Sequence, residues 1–275
     1  MTQANESANR IDATFARLSQ AGRKGLWPYV TAGYPDLDTT IGLLKALDQA
    51  GVAGVELGFP YSDPVADGPV IQTSFSRALA SGFRVGEVFE RIGAVRGELS
   101  MPLLAMVSFS IVHRIGPSTF IERAARSGFD GLIIPDLSLE EAADTARQVT
   151  DAGLRLVMLV SPTTSPERRE RIAKLSSGFV YYLSVAGITG ERDQLPPDLP
   201  ENVARLRTVS GRPVCVGFGI SQPRHVEAVC AVADGAIVGS AIVRRINGCV
   251  DRQATGAEII QDVSDFVAAL QAPLT

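Results

Sequence analysis

An apolar run from Val52 to Phe59 holds one carboxylate, Glu56, with Gly54 and Gly58 two positions away on either side. Side chains of a strand alternate faces, so Val55 and Leu57 point one way while Gly54, Glu56 and Gly58 point the other. An acid in such a place loses its hydration, and the usual relief is a raised pKa that keeps it neutral. The flanking glycines read as room for a ligand. The loop that follows crowds Tyr61, Ser62, Asp63, Pro64, Asp67, Gly68 and Pro69 together, and it brings a second carboxylate, Asp67, within folding-back distance of the first. Two carboxylates in different surroundings, one dry and one on a loop, suit acid and base chemistry at neutral pH. Other readings stand beside this one. Asp63 and Asp67 also suit plain turns, and Glu56 also suits a buried ion pair with a distant Arg or Lys.

These residues need a frame, and the chain supplies it by alternation. Ile11, Phe15 and Leu18 have the spacing of an amphipathic helix over 11–21, placed to plug one end of the fold. Strands are then predicted at 27–31, 52–59, 102–107, 131–135, 154–160, 179–184, 213–217 and 235–239. Helices are predicted between them at 36–51, 70–80, 85–96, 117–128, 139–152, 166–175, 200–209 and 222–232, with a closing helix near 256–270. Ser165 before Pro166, and Ser221-Gln222 before Pro223, read as helix starts. Eight strand-then-helix units point to a single α/β domain over 1–275, a (β/α)8 TIM barrel with an extra N-terminal helix and about residues 1–10 disordered. In such a barrel the chemistry sits at the C-terminal ends of the strands. Glu56, Asp67, Asp136 and Tyr181 all fall there.

Gly217-Phe218-Gly219-Ile220-Ser221 follows the seventh strand and Gly239-Ser240 the eighth, where many barrels hold a phosphate on backbone N–H groups and a short helix N-terminus. Thr189-Gly190 is expected opposite them. A single Gly-x-Gly also suits a tight turn; two such turns on adjacent late strands favour the anion site.

Composition narrows the classes. The chain has 275 residues, 45% of them hydrophobic, and a net charge of −4. No basic cluster suggests a nucleic-acid partner, and no apolar run approaches the roughly 20 residues of a membrane helix. The N-terminus lacks the pattern of a signal peptide, so a cytoplasmic protein is expected. Cys215, Cys230 and Cys249 have no metal-like spacing and read as packed thiols, and His113 and His225 are too few for a histidine metal site or a Ser-His-Asp triad.

The run Glu56-Leu57-Gly58-Phe59-Pro60-Tyr61-Ser62-Asp63-Pro64, continuing through Ala66-Asp67-Gly68-Pro69, resembles the signature of the tryptophan synthase alpha subunit family. The likeness extends over nearly the whole chain: Trp27 to Pro35, Pro135-Asp136-Leu137, Ser184 to Gly190, Gly217 to Ile220 and Val238 to Ala241. It implies a retro-aldol cleavage of indole-3-glycerol phosphate to indole and D-glyceraldehyde 3-phosphate, without a cofactor in this chain. Glu56 is then the acid that protonates ring carbon C3, and Asp67 accepts from the indole N–H. Tyr29, Ile71 and Leu104 are candidate walls for the ring, with plain core as the alternative for each. Tyr181, Thr189, Gly190, Phe218, Gly219, Gly239 and Ser240 complete the expected substrate contacts. The resemblance also implies an alpha2beta2 assembly with a beta subunit that carries pyridoxal phosphate and communicates through Asp63 and Asp136. The polar stretch from Thr189 to Pro200, with Arg192 and Asp193, is expected to be a lid.

The match departs after the third strand, where Val107-Ser108-Phe109-Ser110-Ile111-Val112-His113 replaces the Tyr, Asn, Pro run of many members. His113 reads as a surface residue there. Two further readings stay open: a stand-alone lyase, and an inactive activator of a beta subunit.

Overall fold

The computed structural model describes residues 9–64, 67–183, 196–217 and 219–274. The strands are β1 (Gly25–Thr31), β2 (Val55–Gly58), β3 (Leu103–Met106), β4 (Gly131–Ile133), β5 (Arg155–Val160), β6 (Val180–Leu183), β7 (Val214–Gly217) and β8 (Gly235–Val238). All pair in parallel in chain order, and β8 returns to β1, so the sheet closes into a barrel. The first helices are α1 (Arg10–Gln20), α2 (Leu37–Gln49), α3 (Pro69–Ala80), α4 (Val85–Val95), α5 (Phe109–Ile115) and α6 (Pro117–Arg126). They are followed by α7 (Leu139–Asp151), α8 (Pro166–Leu175), α9 (Leu199–Ser210), α10 (Pro223–Cys230), α11 (Ser240–Asp251) and α12 (Gly256–Gln271). The expected (β/α)8 barrel with an extra N-terminal helix is what the chain forms. Among the described residues no helix is long and apolar enough to cross a membrane.

Two apolar clusters hold this frame. One lies between the outer faces of the strands and the helices, where Val30, Leu57, Ala105, Leu132, Leu156, Tyr182 and Val216 meet Leu43, Phe89, Phe120 and Val203. The other fills the barrel itself with Trp27, Leu104, Ile133, Val157, Phe179, Tyr181, Cys215 and Ile237. Such a filled interior is a packed core, so a site exists only where the filling stops at the mouth. Helix α1 closes the opposite, N-terminal end: Phe15 stacks on Trp27 with centroids 5.4 Å apart and meets Phe179 at 5.6 Å. Polar contacts fix it there. Asn9 Nδ2 donates to the Asp130 and Gly153 carbonyls at 2.8 and 3.0 Å, and Arg155 pairs with Asp12 at 2.6 Å.

Two helices escape the periodicity. In α5, only seven residues long, the Ser108 side chain accepts from Ser110 N, and Asp136 Oδ1 accepts from Phe109 N at 2.7 Å. The bond to Phe109 N, supplied from another loop, leaves no mark in the local sequence. Helix α11 has no side-chain cap, and Ile242, Val243 and Ile246 are β-branched. Its buried face of Ala241, Ile242, Val243, Ile246 and Cys249 overrides that weak propensity. One predicted start also shifts: the residue at the cap of α10 is Gln222, with no side-chain cap bond, and Ser221 lies outside it.

The glycines beside Glu56 do not leave the room for a ligand that the sequence suggests. A Cβ at Gly54 would run into the Trp27 ring, and one at Gly58 into the Tyr29 phenol. Their missing side chains admit the protein's own aromatics to the barrel interior. That close approach is why both positions are glycine.

Candidate active site

Glu56 sits on β2 in register with Tyr29 of β1 and Leu104 of β3. Its residue exposure is 0%, and among the described residues neither carboxylate oxygen has a hydrogen-bond partner. The expected alternative of a buried ion pair is therefore not what the strand builds. With no cation or donor to favour the charged form, burial alone pushes the Glu56 pKa up from 4.5 to about 8. At neutral pH the group is mostly an undissociated acid. It is stored in the barrel with its proton on.

Asp67 approaches from the loop after β2, half-buried. Burial raises its pKa, a hydrogen bond from Tyr61 opposes that, and the charge of Asp136 adds to it. The Tyr61 hydroxyl donates to Asp67 Oδ2 at 3.3 Å. Gln72, one turn into α3, donates Nε2 to the Asp67 carbonyl at 2.8 Å and to the Pro64 carbonyl at 3.1 Å, tying the loop to the helix.

The two carboxylates converge on the same pair of phenols. Tyr29 is buried and its pKa raised well above the ordinary value, first by desolvation, then by Asp67 and, less, by Glu56. Tyr181 is shifted the same way, by desolvation and then chiefly by Glu56, with Asp67 adding to it. Both phenols stay protonated. Glu56 and Asp67 thus both act electrostatically on Tyr29 and on Tyr181.

The remaining expected residues divide. Ile71 packs with Tyr29, Phe75 and Val243 and backs the Tyr29 ring. Leu104 is wholly buried in the barrel core beside Glu56, insulating the acid from water. Gly239 lies against the other side of Tyr29, where an added Cβ would stand 3.6 Å from the Tyr29 Cβ. Ser240 opens α11 directly after it, so the uncapped N–H groups of that helix face outward beyond Gly239. Gly219 and Ser240 are half-exposed. Thr189, Gly190 and Phe218, and the 189–195 part of the expected lid with Arg192, lie outside the described residues.

Three apolar residues join the site that the sequence reading passed over. Met106, Leu159 and Leu183 are half-buried and pack on the barrel core from above. Each stands two positions after a core residue, Leu104, Val157 and Tyr181. The period-two rule, carried one step further along β3, β5 and β6, would have found them. They give the mouth an aliphatic wall suited to a flat aromatic ring. Two clefts of about 460 and 400 Å³ flank α1 at the other end of the barrel, lined by Phe15, Arg212 and Pro213 among others, and neither touches the carboxylates.

A buried neutral acid, a loop carboxylate, an apolar wall and the N-terminus of α11 are what the fold places at the C-terminal ends of the strands. The sequence profile of the family described as tryptophan synthase alpha chain matches residues 15–271. The chain is 44% identical over 269 residues to the tryptophan synthase alpha chain of Rhodopirellula baltica, covering 95% of this chain and 97% of that one. It is 46% identical over 237 residues to that of Prochlorococcus marinus, covering 86% of each. Among solved structures, the tryptophan synthase subunit alpha of Legionella pneumophila superposes with a TM-score of 0.87 at 33% identity, covering 97% of this chain and 98% of that one. A chain of Mycobacterium tuberculosis tryptophan synthase gives 0.86 at 32% identity, covering 98% and 99%. By sequence over nearly its whole length and by the barrel it forms, the chain belongs to the tryptophan synthase alpha chain family.

Proposed function

We propose that this chain is the lyase that cleaves indole-3-glycerol phosphate to indole and D-glyceraldehyde 3-phosphate, with Glu56 and Asp67 as its catalytic residues. The bond from ring carbon C3 to the side chain breaks only when C3 is first protonated, because the electron pair must leave with the ring. Glu56 delivers that proton from its buried, undissociated carboxyl group. The ring becomes cationic, and Asp67 accepts from the indole N–H and stabilises the charge. As the carbon–carbon bond opens, the neighbouring side-chain hydroxyl gives its proton to the Glu56 carboxylate and becomes the aldehyde. The acid is restored and the atoms balance.

The single observation that carries this reading is the state of Glu56: wholly buried, with neither oxygen partnered among the described residues and the pKa raised to about 8. A structural carboxylate would be hydrogen-bonded. The phosphate belongs at Gly239, Ser240 and Gly219, on main-chain N–H groups and the N-terminus of α11. The ring lies between the phenols and the wall of Met106, Leu159 and Leu183.

The chain acts, on this reading, with a tryptophan synthase beta subunit in an alpha2beta2 assembly, and pyridoxal phosphate belongs to that partner. Asp63 and Asp136 are both exposed at the mouth, where a partner would meet them. The test is indole release from indole-3-glycerol phosphate by the purified chain, with and without a beta subunit. Release that rises with the partner supports the proposal. Full turnover indifferent to the partner indicates a stand-alone lyase, and no release under either condition indicates an inactive activator.

A further inference from the structure

His225 is a buried imidazole that the chemistry above does not use, with 5% of its surface exposed. It stands in the first turn of α10, three residues after the cap position Gln222. Its Nδ1 accepts from the backbone N–H of Ser221 at 3.3 Å. A nitrogen that accepts carries no proton, so the ring proton is on Nε2, and Nε2 is buried with no hydrogen-bond partner among the described residues.

The contrast with α12 shows what is unusual. There Glu258, at the same third position, accepts from the cap residue Thr255 itself at 2.7 Å, an exposed bond that leaves nothing unpaired. In α10 the side chain reaches one residue further out, past the cap and into the loop after β7. That loop carries Gly219. Ile220 is 3% exposed and sunk in the outer core, so the loop is pinned twice: by Ile220 from its side chain and by Ser221 from its amide. Gly219, two residues before Ser221 and half-exposed, is the part of this turn where the proposed function places the phosphate. An exposed glutamate would serve as a helix cap at no polar loss, whereas the imidazole leaves a buried donor unpaired. The ring is better explained by what it holds than by the helix it starts.

We propose that His225 is a positioning residue for phosphate recognition, fixing the Gly219 turn by accepting the Ser221 N–H from behind. This inference rests on the proposed placement of the phosphate at Gly219, Gly239 and Ser240. It concerns binding of the anionic tail and not the proton transfer at Glu56.

The test uses the full chain with indole-3-glycerol phosphate as substrate and glycerol 3-phosphate as a competing probe. His225→Phe keeps a ring in the space and removes both nitrogens, and His225→Asn restores an acceptor near the Nδ1 position. The expected result for the Phe variant is a KM and a glycerol 3-phosphate inhibition constant each raised about tenfold, with kcat within about twofold. The Asn variant should recover most of both. If Phe does not fold, as judged by its thermal melt, His225→Leu takes its place with the same expectation. Unchanged KM in the acceptor-free variant, or a loss in kcat alone that Asn does not rescue, overturns the inference. Gly219→Val separates the two levels. If it raises KM while the Phe variant does not, the phosphate placement stands and only the role of His225 falls. If neither raises KM, the phosphate placement itself is wrong, and this inference falls with it.

Discussion

Glu56 and Tyr29 are register partners on adjacent parallel strands, both buried, yet the carboxyl group takes no hydrogen bond from the phenol beside it. The reason lies one step along β2. At Gly58 the missing side chain admits the Tyr29 phenol, which leaves Glu56 dry and without a donor. Burial keeps the proton on the acid, and the phenol beside it donates nothing to offset that.

Gly58→Ala tests that arrangement. The added methyl group meets the Tyr29 hydroxyl, and the ring must swing into the mouth. Overpacking of this kind costs about 1–3 kcal/mol. A lowered melting temperature together with a large loss of indole release is expected. A variant with unaltered stability and turnover would show that the phenol has another place to go.

The ionisation of Glu56 also sets a stability slope. Its pKa is near 4.5 in the unfolded chain and about 8 in the folded one. Between those values the folded state holds a proton that the unfolded state has lost, so stability falls as pH rises, by up to about 1.4 kcal/mol per unit, and the slope ends above about pH 8. Glu56→Gln removes the titration. Urea unfolding at about pH 5 and about pH 8.5 should show the variant gaining on the parent at the higher pH. An equal difference at both would contradict the raised pKa.

Asp67 should act through its charge. Asp67→Asn keeps the shape and is expected to lower kcat by about 10²–10³-fold, the scale of losing one electrostatic stabiliser. Tyr61→Phe removes only the 3.3 Å bond to Oδ2 and should cost less than about tenfold. Steady-state kinetics on both variants decide it; a Tyr61→Phe effect as large as that of Asp67→Asn would mean that Tyr61 touches the substrate.

The cap of α5 is Ser108, and Asp136 braces it from another loop. Asp136 accepts from Ser108 Oγ and from Phe109 N, both at 2.7 Å. Asp136→Ala should lower stability by about 1 kcal/mol, the usual scale for a helix cap, and speed amide exchange at Phe109 and Ser110. Exchange unaltered at those two amides would show that Ser108 alone suffices.

Much of this was legible in the residues. The alternation of apolar runs located all eight strands, and the apolar setting of Glu56 marked it as a buried acid. The illegible parts share a cause, which is that they depend on residues far away in the chain. Asp136 accepts from the first amide of a helix, 27 positions before it, and α11 forms on its buried face in spite of its β-branched residues. Gly54 and Gly58 look like empty space until Trp27 and Tyr29 are placed over them. Met106, Leu159 and Leu183 were hidden differently: each lies within the last two residues of its strand, where core and site wall have the same apolar character.

The most direct measurement is the turnover of Glu56→Gln on indole-3-glycerol phosphate beside its affinity for a substrate analogue. The amide keeps the size of the acid and has no proton to give to C3. Cleavage should fall by about 10²–10⁴-fold with binding within a few-fold of the parent. Near-normal indole release from that variant would contradict the assignment of the buried glutamic acid as the proton donor.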